Sequence, residues 1–326
     1  MKKLLLVLSL FVLTAAVSLA GEVKVLSIGY DNNPGHPVDT ACQYWAKIVE
    51  ERSGGSLRLE LYPSTQLGKV VDVLDQSLSG DATAVLTSNG YFTNMGVPGW
   101  DVTSMPFLIE SWADFNKVVD SDWWKECESK LEANGLKFIS FGWNYGVRHL
   151  LSKRLILTPA EIQGLKIRIP ADSVTAWLSL GTSPTPMSLG EAYMAMQQGT
   201  IDAIENPFTV LYDGSFYEVA KNLTLTGHKY DMVGFVGGTA FFNSLTPEEQ
   251  NILIQSGKDA AAHFNVLIEK ADNEVLDKLK AQGVSVFELT SEQKGAFSKV
   301  VQDYFNRPDS PWSQELRQTI LNIIGK

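Results

Sequence analysis

Two residues of this chain have the type and the setting to hold an anion. Arg168 lies in residues 164–170, where Leu165, Ile167 and Ile169 alternate with Lys166 and Arg168, the period-2 pattern of a strand. Pro170 cannot extend a sheet ladder, so the strand stops there. A second strand, residues 201–205, runs into Asn206 and Pro207. In open parallel sheets, ligands bind outside the carboxyl ends of the strands. A guanidinium with planar paired donors, next to an amide, makes a carboxylate clamp. A structural salt bridge at Arg168 fits the same position, and strand-end placement alone does not separate the two readings.

Other chemistry finds no support. His36, His149, His228 and His263 are scattered, and no CxxC is present, so neither a metal site nor a cofactor is expected. There is no GxSxG elbow, no GxxxxGK[ST] loop and no GxGxxG. Residues 234–238 are Gly-rich with the wrong spacing, which suits strand packing. Cys127 has no histidine that the sequence would bring to it. His36, between Gly35 and Pro37, is expected to stabilise a turn. The chain therefore reads as a binder rather than an enzyme.

Residues 1–20 have the form of a signal peptide: Lys2 and Lys3, an apolar run over 4–17, then Ser18-Leu19-Ala20 as a small-x-small cleavage site. The run is shorter than the roughly 18 apolar residues a membrane span needs. Cleavage after Ala20 would leave 306 residues, enough for two lobes. Those residues carry 25 basic and 37 acidic side chains, a net −12, which argues against nucleic acid and anionic membranes as partners. Cys42 and Cys127 could pair in an exported protein; both fall in apparent helices, and two free thiols are the expectation.

The elements that must position Arg168 and Asn206 follow in order. Strands are expected over 23–29, 57–62 and 82–86, separated by helices over 38–52 and from residue 70. This β-α-β-α-β order implies a parallel sheet. Its strand ends carry Asp31, Asn33, Gln66, Ser88 and Asn89, all polar, none basic. A helical stretch over 111–134 puts Trp112, Trp123 and Trp124 in a core. A strand over 136–141 leads to Trp143, Tyr145 and Arg148. A second β-α-β-α-β set spans 165–205, with Thr158/Glu161 and Ser188/Glu191 as capping boxes. A Gly-interrupted strand over 232–242 precedes a helix over 246–283, long enough at 1.5 Å per residue to reach about 54 Å and cross both lobes. A strand over 284–289 and two helices close the chain.

The strings GLKIRIP, SPTPMSLGEAYMAMQQG, ENP and FYEVAKNLTLTGH, with GHPV, LYPSTQLG and MPFL, resemble the solute-binding proteins of tripartite ATP-independent periplasmic (TRAP) transporters over nearly the whole mature chain. The resemblance implies an α/β, two-lobed periplasmic-binding-protein fold of type II-like arrangement. Each lobe would be a mostly parallel sheet flanked by helices, with a long helix spanning both. Residues 21–144 with about 232–271 would form one lobe, and 145–231 with about 272–326 the other. It implies a periplasmic receptor, monomeric and with no membrane insertion once the signal is removed, which hands an organic acid to membrane permease subunits by lobe closure. Arg168 matches the family's main carboxylate-binding arginine, Arg148 a second arginine, and Asn206 the asparagine that completes the contact. Asp31, Ser88 and Asn89 match first-lobe ligand positions. Leu189 stands where many members place an aromatic, so Trp143 or Tyr145 is the candidate for a stacking role; packing accounts for either equally well. The polar wall of Asp31, Asn33, Gln66, Ser88 and Asn89 suits hydroxyl groups, which favours a sugar acid such as a uronate or aldonate. A four-carbon dicarboxylate, with Arg148 on its second carboxylate, comes next, then a 2-oxo acid. A ligand-presenting subunit for a receptor kinase is the alternative of another class.

Overall fold

The computed structural model describes residues 23–308 and 310–326; the expected signal peptide, residues 1–20, lies outside them. The chain opens with β1 (Lys24–Gly29), α1 (Pro37–Arg52), β2 (Leu57–Tyr62), α2 (Val70–Leu78) and β3 (Thr83–Thr87). His36 starts α1: its Nδ1 accepts from the Val38 amide at 3.1 Å, and Pro37 occupies the first turn. β1 pairs in parallel with β2 and β3. Then come α3 (Trp112–Asp120) and α4 (Asp122–Ala133). The sequence reads as one helical stretch here. It breaks at Ser121, whose hydroxyl accepts from the Trp124 amide and so caps a new helix.

The frame of the molecule is an antiparallel pair of 17-residue strands, β4 (Leu136–Ser152) and β8 (Asn222–Gly238). The sequence pattern predicts a first strand ending at 141 and a second beginning at 232. The residues beyond those bounds, rich in Gly, Asn and charge, pair with each other across the same ladder. Register shifts at Phe138/Ser140, Phe141/Trp143, Asn144/Gly146 and Arg148/Leu150 bend the pair.

Between these strands lie α5 (Pro159–Ile162), β5 (Lys166–Ile169), α6 (Val174–Ser179), β6 (Ser183–Pro186), α7 (Leu189–Gln197), β7 (Ala203–Asn206) and α8 (Phe208–Asp213). β5 is parallel to β6 and β7, and β7 runs antiparallel to β4. The strand order is β2-β1-β3-β8-β4-β7-β5-β6, with β9 (Ser285–Glu288) parallel to the start of β8. The two parallel sets are thus wings of one sheet. The first lobe's wing joins the C-terminal end of β8 and the second lobe's wing joins the C-terminal end of β4.

After β8 the chain turns helical in α9 (Thr239–Ser244), where the sequence suggested strand to 242. A complete capping box at Thr246 and Glu249 then starts α10 (Pro247–Ala281), 35 residues long. Its Leu253, Ala260, Phe264 and Ile268 bury in a core with α1 and β1, and its Val275 and Leu279 in another with Met196, Ile204 and Leu223. One helix therefore ties both lobes. α11 (Ser291–Phe305) and α12 (Gln314–Ile324) complete the chain. α12 packs on α3, burying Ile320 and Ile324 in a core that holds Phe115 and Val118 as well as Ile167 and Ile169. Cys42 and Cys127 are free and buried in different cores. Among the described residues no helix is long and apolar enough to cross a membrane.

Candidate functional site

Arg168 and Asn206 end neighbouring parallel strands, with Arg168 in register with Ile204. Both line a cavity of about 90 Å³ between the lobes. Arg168 is 4% exposed, and its Nε donates to the Met187 carbonyl at 3.0 Å. Among the described residues its two Nη groups have no acceptor and no anionic partner. Burial draws its pKa below the usual arginine value, against the attraction of Glu205. Asn206 is 3% exposed and its Nδ2 is buried without a partner. A buried donor left unpaired costs roughly 1–3 kcal/mol, more if charged. Asn206 Nδ2 is such a donor, and the Arg168 guanidinium lines the same cavity without an ion pair.

Arg148 lines the same cavity but is already engaged. Its Nε reaches Glu205 Oε2 at 2.6 Å, Nη2 reaches Oε1 at 2.7 Å, and Nη1 reaches Asp231 Oδ2 at 2.6 Å. Lys229 lies 2.9 Å from Asp231 Oδ1. Burial would raise the Glu205 pKa, yet Arg148 holds it at about 2. His228, kept neutral by burial despite Glu205, donates from Nε2 to Glu205 at 3.1 Å while Thr226 donates to its Nδ1 at 2.7 Å. Glu205 and Asp231 thus pair with Arg148 and Lys229. Arg168 stands outside these ion pairs, attracted to Glu205 and Asp31 without an ion pair to either.

The opposite wall comes from the first lobe. Asp31 accepts from Thr65 Oγ1 at 3.3 Å; burial raises its pKa and the attraction of Arg168 partly offsets that. The Ser88 hydroxyl donates to Asp172 of the second lobe, closing the cleft on one side. Asn32 donates to the Tyr145 hydroxyl at 2.9 Å. An exposed ion pair, Lys69 to Glu191 at 3.0 Å, also joins the lobes.

The structure brings together Arg168, Asn206, Arg148, Asp31, Ser88, Tyr145 and Leu189. It places four other candidates elsewhere. Asn33 lines a neighbouring opening and accepts from Ser64. Gln66 is exposed in the turn after β2. Asn89 is turned inward, its Nδ2 donating to the Trp100 carbonyl and to Thr103. Trp143 is fully buried between Trp45, Phe235 and Phe264, its Nε1 bonded to Ser140; it is a core residue. The sequence reading missed Tyr91, Asp172, Lys229 and Asp231, which also line the cavity. Asp172 stands just past Pro170 and so met the strand-end criterion already applied to Arg168. Lys229 and Asp231 sit two apart on one strand, ahead of residue 232, where the sequence pattern places the start of that strand.

The chain is matched over residues 28–308 by the model of the family described as bacterial extracellular solute-binding protein, family 7. It is 29% identical over 302 residues to the 2,3-diketo-L-gulonate-binding periplasmic protein YiaO of Escherichia coli, covering 90% of each chain. Among solved structures it is 36% identical to a TRAP periplasmic solute-binding protein of Actinobacillus succinogenes with bound L-galactonate (TM-score 0.86, 93% of this chain, 99% of that one). It is 34% identical to one from Ochrobacterium anthropi with bound L-fuconate (TM-score 0.86, again 93% and 99%).

Proposed function

The chain belongs to family 7 of the bacterial extracellular solute-binding proteins, a TRAP-type solute receptor, and we propose that its ligand is a sugar acid, an aldonate or uronate. Arg168 and Asn206 receive the carboxylate, and the Asp31 side of the cleft accepts hydrogen bonds from hydroxyls. The observation that carries this reading is one cavity lined both by the Arg168 guanidinium, which forms no ion pair, and by the buried, unpartnered Nδ2 of Asn206. The relatives and structural neighbours with named ligands of this chemistry support it.

A four-carbon dicarboxylate needs a second cationic anchor. Arg148 is poorly suited, since Glu205 and Asp231 occupy its donors on three nitrogens. The receptor performs no chemistry on its ligand: the buried carboxylates of the cavity are paired or serve as acceptors. It is exported by the segment 1–20, cleaved after Ala20, works as a monomer in the periplasm, and delivers its ligand to a membrane permease. The lobes close about a hinge where β4 and β8 cross, near 144–146 and 229–232, with α10 bending alongside. A ligand touching both lobes stabilises the closed form by its differential affinity for it.

The test is a thermal-shift screen against hexonates, uronates, tetronates, dicarboxylates and 2-oxo acids, followed by calorimetry. Sugar acids should give the largest shifts. A C4-dicarboxylate exceeding every sugar acid would overturn the assignment.

A further inference from the structure

We infer that the receptor has an extension subsite beside the carboxylate clamp, which takes the far end of a sugar acid carrying a further sugar unit. This rests on the sugar-acid reading and adds to it where the rest of the ligand goes and how long it can be.

The argument starts from space. Pockets that enclose small ligands run to about 300–1,000 Å³. The cavity at Arg168 and Asn206 is about 90 Å³, too small for a polyhydroxylated chain by itself. Two larger openings adjoin it. One, about 240 Å³, shares Asp31, Val70, Tyr91, Arg168 and Pro170 with it and is otherwise walled largely by Val71, Pro186 and Met187 with Lys69 at its edge. The other, about 440 Å³, shares Asp31, Asn32 and Leu189 with the central cavity.

Chemistry selects the second. Its lining holds no lysine or arginine, and it presents Asn33, His36, Asp213 and Glu218. Such a wall repels a second carboxylate or phosphate and accepts hydrogen bonds from hydroxyls. His36 adds an independent sign. Its Nδ1 accepts from Val38, so its Nε2 carries the proton of the neutral ring. That Nε2 is buried, on a residue only 2% exposed, and has no partner. A neutral donor without an acceptor, beside carboxylates that form no ion pair within the opening, complements a neutral polyol, whose hydroxyls both donate and accept. Tyr193 lines the same opening and is fixed by its hydroxyl, which donates to Glu218 Oε2 at 2.7 Å. Its ring, with Leu189, offers an apolar face to a sugar ring.

The experiment is titration calorimetry on wild type and on the Asp213→Asn/Glu218→Gln double variant, with erythronate, gluconate, galactonate, lactobionate and maltobionate as probes. Both substitutions are at exposed positions and isosteric, so the fold should survive; circular dichroism checks this. On wild type, at least one disaccharide acid should bind within about tenfold of its parent hexonate. In the double variant its affinity should fall by at least about tenfold more than the hexonate's does, the scale of a lost hydrogen bond to a charged group. If hexonates bind through Arg168 but every disaccharide acid is excluded, or if the double variant weakens both ligand types equally, the subsite is refuted and the opening is a solvent vestibule. The sugar-acid reading then stands. If none of the acids binds wild type, both fall.

Discussion

Arg148 grips Glu205 fork to fork, Nε to Oε2 at 2.6 Å and Nη2 to Oε1 at 2.7 Å, with both side chains buried. Arg168 has the same chemistry and comparable burial but no carboxylate. The two arginines therefore do different work. One holds β4 to β7; the other is the proposed anchor for the ligand's carboxylate.

Removing the partner of Arg148 should damage the fold. Glu205→Gln leaves a buried guanidinium short of its counter-charge, a loss of roughly 3–5 kcal/mol. For a chain of this size that corresponds to a fall in Tm on the order of 10 °C. Differential scanning calorimetry of the unliganded protein checks it. A fall below about 2 °C would mean that Asp231 alone satisfies Arg148.

Stability should decline on both sides of mildly acidic pH, for two separate reasons. Glu205 is held at about 2, below its ordinary 4.5, so the stability it contributes is full above pH 4.5 and drains away as pH falls towards 2. Asp272 on α10 behaves oppositely. Its Oδ1 is buried without a partner, and burial raises it to about 7 despite a hydrogen bond from the Thr209 backbone. The folded protein keeps that proton where the unfolded chain would lose it. Stability from this group is full below about pH 4 and is lost as pH rises through 7. Asp272→Asn should therefore melt higher than wild type at pH 8 by several degrees, roughly 2–4 °C per kcal/mol, with the gap closing at pH 4. A gap independent of pH would remove Asp272 as its cause.

Most of the frame was legible in the chain, because period-2 alternation and capping boxes act locally. The Thr246–Glu249 box and Pro247 announced α10, and Pro170 marked the end of β5 at Arg168. What escaped was non-local. The inner halves of β4 and β8 carry Gly142, Gly146, Lys229 and Asp231, poor strand formers whose pairing is decided by the partner strand. Arg148 looked equivalent to Arg168 because Glu205 and Asp231 reach it from 57 and 83 residues away. Asn89 and Trp143 sat at plausible strand ends, but only the packed structure shows both turned into cores.

Asp31 should set selectivity. It faces the clamp from the other lobe and can accept hydrogen bonds, but it cannot anchor a carboxylate. Asp31→Ala should weaken a hexonate at least about tenfold more than a bare dicarboxylate such as succinate, the scale of a hydrogen bond to a charged acceptor. Equal losses in calorimetry would contradict the assignment of hydroxyls to this wall.

Closure should pass through Gly146. Its φ of +134° suits glycine, and a Cβ there would meet the Pro207 side chain at 2.7 Å. Gly146→Ala should raise the dissociation constant by strain in the closed form. Small-angle scattering should show a smaller radius of gyration on ligand saturation of wild type. An unchanged radius, with labels on the two lobes at unchanged separation, would refute closure.

The central claim is that Arg168 is a ligand anchor rather than a structural ion. Titration calorimetry of Arg168→Met against the tightest-binding acid of the screen, beginning with L-galactonate and gluconate, tests it most directly. Removing one partner of a buried charge pair costs roughly 2–5 kcal/mol, so affinity should fall by about 30- to 4000-fold. The unliganded variant should melt no lower than wild type, because a buried cation without an ion-pair partner has gone. Near-wild-type affinity in Arg168→Met would place the carboxylate elsewhere and contradict the account.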